Sequence, residues 1–334
     1  MYTQNRKYIW LIINSEMTPP IGVSVLRLAP DRWMMGSSKI CERVTGQDLP
    51  NEIISWKEGD DIFYLREKVE GDPLSPEDGL ETGLVHEGGT SAAVWSIGEN
   101  AFCKVKAWHE GMELESKTIA FIRENAPEVP VPEVIHTWID RAWNRTFLIL
   151  RRVQGETLDS VWPQLTRNQQ MQIASKIVEY CRQLSLLSSS IFESATGRAV
   201  VEPFLNSTAN ASHPSWVPRS LGPFSSKDLA SHLSAVAPGS DLDTGSTFYF
   251  YHADLGPTNI MVLDNSISGI LDWESAAYYP RFWIATKPRL SAGFYLQKDR
   301  TYPKAWSNML ADMLGFHGFP QDIQGYNKWE YKRI

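Results

Sequence analysis

"HADLGPTN" (252–259) and "GILDWE" (269–274) are the stretches on which the reading of this chain turns. They set three oxygen-bearing side chains, Asp254, Asn259 and Asp272, around apolar runs, "FYFY" before and "IMVL" and "SGIL" after. The runs have the length and composition of β-strands, and Asn265-Ser266 between the last two is a pair of turn formers. The spacing predicts a hairpin of residues 259–264 and 267–272 closed at Asn265-Ser266. In that register Asp264 faces Ile267 and Asn259 faces Asp272 at the open end, with Cα atoms about 4.5–5.5 Å apart. Two hard oxygen ligands at that separation suit Mg2+, which takes few protein ligands and fills its shell with water and substrate phosphates. Asp254 lies upstream across a Gly-Pro turn. Its carboxylate is expected beside the metal pair and not on it, where a base accepting a hydroxyl proton sits. Any one of these residues alone is commonly a turn former; the three together read as a site.

The remaining composition narrows the class of molecule. The chain has 334 residues, enough for one large domain or two modest ones, with an ordinary globular balance of 43% hydrophobic and 21% charged residues. No apolar run approaches a bilayer span, and "IWLII" at 9–13 is too short for a signal peptide, so a cytoplasmic protein without membrane contact is expected. Cys41, Cys103 and Cys181 are odd in number and scattered, which fits reduced thiols better than a disulfide or zinc framework. A net charge of −7 argues against a nucleic-acid surface and is compatible with a cationic or neutral small substrate.

Along the chain, residues 1–83 form an extension that is hard to read, with "GVSVLRLA" and "DIFYLRE" as candidate strands and a Gly/Pro/acid-rich linker at 71–83. Two β-like runs joined at "GEN" follow, with Gly88-Gly89 ahead of them. A helix is expected over about 110–125, its apolar stripe running Met112, Ile119, Ile122. Pro127, Pro130 and Pro132 end it. "RTFLILRRV" at 145–153 reads as a buried strand broken by Gly155. "TRNQQMQIASKIVEYCRQL" reads as a helix opened by a Thr166/Gln169 capping box, with Ile173, Ile177, Cys181 and Leu184 on one face. The β-rich front and helical back divide near Gly155, giving expected segments 84–154 and 155–334.

At this point the sequence resembles the aminoglycoside phosphotransferase superfamily, the choline-kinase-like relatives of protein kinases, and most closely its fungal members. The resemblance spans about residues 84–334. It is carried by His252–Asn259 and by Asp272-Trp273-Glu274. It implies an α+β fold of two lobes, a small antiparallel sheet with one main helix and a larger helical part, with ATP in the cleft and Mg2+ as metal. Asp254 looks like the catalytic aspartate of the family's H-x-D-x-x-x-x-N motif, and Asn259 and Asp272 look like its metal ligands. His252 looks like the motif histidine that braces the catalytic loop.

The family also needs a strand lysine for the phosphates and a helical glutamate to orient it. "AFCKVKAW" offers Lys104, which follows the apolar "AFC", with Lys106 two residues on along the same face. Glu115 is the expected partner, on the apolar face of the helix, where a carboxylate is costly without a cation; Glu113 is the fallback. Gly88, Gly89, Thr90 and Ser91 look like the phosphate-covering turn, and the backbone of Arg151–Val153 like the adenine hinge. Glu274 reads equally as a group touching metal-bound water or substrate and as a buried structural acid. "YYPRFW" (278–283) reads as helix docking in preference to substrate stacking.

The implied activity is γ-phosphoryl transfer from ATP to a hydroxyl of a small molecule. Two rivals share the scaffold: a nucleotide-binding protein without transfer activity, and a protein kinase. All three motif residues are present, which disfavours the first, and no Ala-Pro-Glu-like stretch follows Asp272, which disfavours the second.

Overall fold

The computed structural model describes residues 18–46, 49–208, 213–214, 217–239 and 242–333; the "IWLII" run lies outside them. The described chain divides into two compact units. The first comprises residues up to Glu110, Glu133–Arg152 and His213–Pro218. The second holds Gly111–Pro132, Val153–Ser212 and Arg219 onward.

The first unit is built from two five-stranded antiparallel sheets. One contains β1 (Val25–Ala29), β2 (Arg32–Met35), β3 (Lys39–Val44), β4 (Glu52–Glu58) and β5 (Asp61–Glu67), in the order β1-β2-β3-β5-β4. The other contains β6 (Leu84–Gly88), β7 (Ala92–Ile97), β8 (Ala101–Ala107), β9 (Val134–Asp140) and β10 (Arg145–Arg151), in the order β6-β7-β8-β10-β9. Strict alternation decides which face each presents. In β8, Ala101, Cys103 and Val105 are buried, while Phe102, Lys104 and Lys106 turn the other way. β7 alternates in step, burying Ala93, Trp95 and Ile97.

These inward residues meet Trp33, Met35, Trp56, Phe63 and Leu65 of the first sheet in one core. The amino-terminal segment is therefore half of a sandwich, and both expected strands within it, "VLRLA" and "DIFYLRE", are present. Two buried charges fasten the halves. Asp140 accepts from the Ser37 backbone N–H (2.6 Å) and hydroxyl (3.0 Å), and Arg145, paired with Asp140 across β9 and β10, donates to the Pro19 carbonyl and Ser24 hydroxyl.

The second unit is mainly helical, giving the α+β class expected. Its elements include α1 (Glu115–Asn125), α2 (Arg167–Leu184) and α3 (Ser226–Val236). The capping box at Thr166/Gln169 is formed, and α2 buries Ile173, Ile177, Cys181 and Leu184 as the periodicity requires. Between the helices lie three small antiparallel sheets, a two-stranded one pairing Ile191–Phe192 with Phe224–Ser225 and two of three strands. One three-stranded sheet joins β11 (Glu156–Thr157) to the hairpin β14 (Ile260–Leu263) and β15 (Ser266–Ile270). The other joins β12 (Ser188–Ser189), β13 (Phe248–Tyr251) and β16 (Ala277–Pro280).

Helices α4 (Arg281–Leu290), α5 (Ala305–Phe316) and α6 (Ile323–Tyr331) complete the unit. The aromatic run 278–283 packs inward: Tyr279 lies edge-on to Phe192 and Tyr251, and Trp283 meets Tyr326 of α6 at 5.4 Å. Cys41, Cys103 and Cys181 are buried free thiols.

Candidate active site

Strand β13 delivers the chain into the loop 252–259. Ala253 adopts the left-handed conformation (φ 64°), a geometry costly for a residue with a Cβ and retained here by the contacts around it. The Asp254 N–H donates to Nδ1 of His252 (3.1 Å), which leaves Nε2 as the protonated nitrogen; it donates to the Leu271 carbonyl (2.9 Å). The His252 ring also meets Trp273 at 4.3 Å. One imidazole thus ties the Asp254 loop to the segment carrying Asp272. Gly256 is required for close approach, since a Cβ there would lie 2.3 Å from the Gly293 carbonyl oxygen.

The hairpin exists, but its turn and register differ from expectation. Asp264 and Asn265, at φ 49° and 60°, form the two-residue turn, so Leu263 pairs with Ser266 and Val262 with Ile267. Left-handed geometry at both central positions favours Asp and Asn and disfavours Ser. An irregularity then shifts the pairing to Met261–Gly269 and Ile260–Ile270. Asn259 consequently lies across from Leu271, whose N–H bonds to the Asn259 carbonyl (2.8 Å), and not from Asp272.

The Asn259 carboxamide turns instead to the loop. Nδ2 donates to Asp254 through its backbone oxygen (2.9 Å) and its carboxylate Oδ2 (3.0 Å). Asp272 has left-handed backbone geometry (φ 63°) and opens a short 3-10 turn. Its carboxylate gathers with those of Glu115 and Glu274, one oxygen of each within 4.8 Å of the others. Three like charges at that range repel. A cation offsets the repulsion, and an all-oxygen set suits a hard divalent ion, whose opposed ligands lie about 4 Å apart. The donor chemistry fits Mg2+.

Glu115 is the first residue of α1 and accepts from the Trp273 N–H (3.1 Å). The helix starts there and not at 110, so Met112 lies outside it, bridged to Ala199. Glu113 is no fallback partner on the helix: its carboxylate accepts from the Ser194 hydroxyl and from the Thr196 N–H and hydroxyl, bracing that turn.

In the β unit, Lys104 sits between Val94 and Leu148 on the neighbouring strands, and Lys106 between Ala92 and Thr146, both on the side away from the shared core. Gly88 ends β6, and Gly89, Thr90 and Ser91 form its turn into β7. Arg151 ends β10, its N–H bonded to the Glu133 carbonyl (2.9 Å). Val153 begins the next stretch of the helical unit and packs beside Gly269.

Burial raises the Asp254 carboxyl to about 6; the Lys287 ammonium opposes the shift, and the carboxylates of Asp272, Glu274 and Glu202 add to it. Glu202 and Lys287 form a buried ion pair (2.6 Å) that the sequence reading did not find. Trp283 Nε1–H (3.1 Å) and the Phe204 N–H (3.2 Å) complete the shell of Glu202. Lys287 follows Trp283 and Ile284 by four and three residues, so its place on the buried face of α4 was visible in the spacing. Glu202, before a proline in an irregular stretch, carried no such signal.

No helix among the described residues is long and apolar enough to cross a membrane. No curated protein sequence matches the chain. Among solved structures it is similar to aminoglycoside phosphotransferase APH(3'')-Id from Streptomyces rimosus ATCC10970, at 16% identity and a TM-score of 0.44, over 76% of this chain and 93% of that one. It is also similar to an aminoglycoside-3'-phosphotransferase of type VIII (16%, TM-score 0.43, 74% and 93%). A third is a thermostable mutant of aminoglycoside phosphotransferase APH(4)-Ia in ternary complex with AMP-PNP and hygromycin B (17%, TM-score 0.41, 74% and 91%). The sequence profile of the phosphotransferase enzyme family matches residues 84–283, well over half of the chain and including every motif residue from Gly88 to Glu274. On that match, this chain belongs to the phosphotransferase enzyme family, the small-molecule kinases.

Proposed function

We propose that the chain transfers the γ-phosphoryl group of ATP to a hydroxyl of a small molecule, with Asp254 as the base. The observation that carries this reading is the arrangement in the helical unit. Asp254 is held by Asn259, and it feels the charges of Asp272 and Glu274, which gather with Glu115 in a separate group of carboxylates. One carboxylate kept apart from a cluster of others is the division of labour that proton acceptance and metal holding require.

Asp272 and the Oδ1 of Asn259 would hold Mg2+, with Glu115 and Glu274 as further oxygen donors around it. Bound there, Mg2+ supplies neutralisation of the phosphate charge. Asp254 orients the acceptor hydroxyl and takes its proton as the new O–P bond forms and the bond to ADP breaks. We assign Lys104 to the phosphates, the turn Gly88–Ser91 to covering them, and the backbone of Arg151–Val153 to the adenine edge. Positioning and fixed charge account for most of the acceleration in such a reaction.

The test is ATP consumption screened over hydroxylated amines, amino alcohols and secondary metabolites. An accepted substrate should be phosphorylated by the native chain. Asp254→Asn should reduce turnover by about 10³-fold or more while ADP binding persists. Full turnover by Asp254→Asn on that substrate would remove the assigned base.

A further inference from the structure

Helix α2 buries one face and turns Lys176, Glu179 and Arg182 outward at successive intervals of three, a single polar stripe. Such a stripe ordinarily faces open water. Here it forms one wall of a groove of about 640 Å3, closed by Leu186, Tyr249 of β13, Arg281 at the start of α4, and Phe319 beyond α5. A second concavity of about 420 Å3 continues along α2 past Lys176 and shares Glu179, Arg182 and His317 with the first. Both volumes fall in the range of small-molecule sites, roughly 300–1,000 Å3.

The charge in this groove runs against that of the whole chain, which is −7. Three cations line the two concavities against one acid, and that acid, Glu179, is already engaged by Lys176 at 2.9 Å. Arg281 is held in place by two aromatic faces, Tyr249 at 5.3 Å and Phe319 at 5.6 Å from the ring centres. One of its N–H groups reaches the Gly318 carbonyl (3.3 Å). Among the described residues neither Arg182 nor Arg281 has a carboxylate within 4.0 Å. A guanidinium fixed by stacking, with donors left over, is prepared to take a carboxylate or phosphate in a forked hydrogen bond.

We propose that this groove binds a small organic anion, with its carboxylate or phosphate between Arg182 and Arg281 and its uncharged body against Leu186 and Phe319. The site is separate from the candidate active site and goes beyond the phosphotransfer reading. It is joined to that site through the fold: Tyr249 and Asp254 lie on one continuous segment, and Arg281 opens the helix that carries Lys287.

Calorimetric titration of the full chain with citrate and, separately, with glycerol 2-phosphate, in metal-free buffer, tests the site and tells carboxylate from phosphate recognition. At least one should bind and raise the melting temperature. Arg182→Gln and Arg281→Gln should each weaken that binding by about tenfold or more. Arg182 lies on the solvated face of α2, so its replacement leaves the fold intact; the melting curve of Arg281→Gln checks the same for the other. Absence of binding by both probes, or binding indifferent to both substitutions, would each overturn the proposal.

Discussion

Asn259 donates through Nδ2 to Oδ2 of Asp254 at 3.0 Å and to the Asp254 carbonyl at 2.9 Å. Its amide nitrogen is thereby committed to fixing the proposed base, and only its Oδ1 remains to serve a metal. The two roles can be separated by substitution. Asn259→Asp keeps an oxygen ligand but sets a second carboxylate against Asp254, while Asn259→Ala removes both functions. If fixing Asp254 matters, Asn259→Asp should lose about 10²-fold or more in kcat, close to the loss in Asn259→Ala. Steady-state kinetics on an identified acceptor decides this, and an active Asn259→Asp would reduce Asn259 to a metal ligand.

The two strand lysines separate in the same way. Lys104 stands in the row Val94–Lys104–Leu148, inside the sheet, whereas Lys106 is one residue from the end of β8. Lys104→Ala should lower kcat/KM for ATP by about 10²-fold, and Lys106→Ala by less than about fivefold. The reverse order would transfer the phosphate role to Lys106.

Elements governed by period and caps were legible in the sequence. The capping box of α2, the alternation of β7 and β8 and the buried strand β10 each follow from side chains a few residues apart. The candidate site was legible as a set of residues and misread as a geometry. Its register depended on whether Asp264-Asn265 or Asn265-Ser266 closes the hairpin: moving the turn back by one residue shifts the pairing by two, the irregularity between Met261 and Val262 restores one, and Asn259 ends across from Leu271 instead of Asp272. The start of α1 was misplaced because Met112, Ile119 and Ile122 match a helical stripe, although Met112 is buried through a bridge to Ala199. The pairing of β1–β5 with the second sheet rests on contacts distant in sequence, such as Ser37 to Asp140, and no local pattern encodes those.

A pH dependence of stability follows from the loop after β5. Arg66 grips Asp72 with two hydrogen bonds (2.7 and 2.8 Å) and also reaches Glu42 (2.7 Å). The hydrogen bonds from Arg66 hold the Asp72 carboxyl down at about 2. Because the folded value lies below the ordinary carboxylate range, the pair contributes its full stability above about pH 4 and loses it as pH falls towards 2. Asp72→Asn should therefore melt below the native chain at pH 7, with the gap narrowing at pH 3 and below. Melting curves across that range check the sign; a gap independent of pH would place the effect in packing alone.

The first sheet is a structural half of its unit, and this too can be measured. Phe63 of β5 is 1% exposed and lies between Trp33 (5.9 Å) and Trp56 (5.5 Å, stacked). Replacing it with alanine leaves a cavity in the core shared with Trp95, Val105 and Phe147, at a cost of about 3–5 kcal/mol. Chemical denaturation should show that loss as a lower midpoint. Removing residues 1–80 altogether uncovers the inner faces of β7, β8 and β10, a larger change than any point substitution. Such a truncated chain should aggregate or unfold without a cooperative transition, even though it retains every residue matched by the family profile. If it stayed soluble with an unchanged midpoint, the shared core would not be what holds the second sheet together.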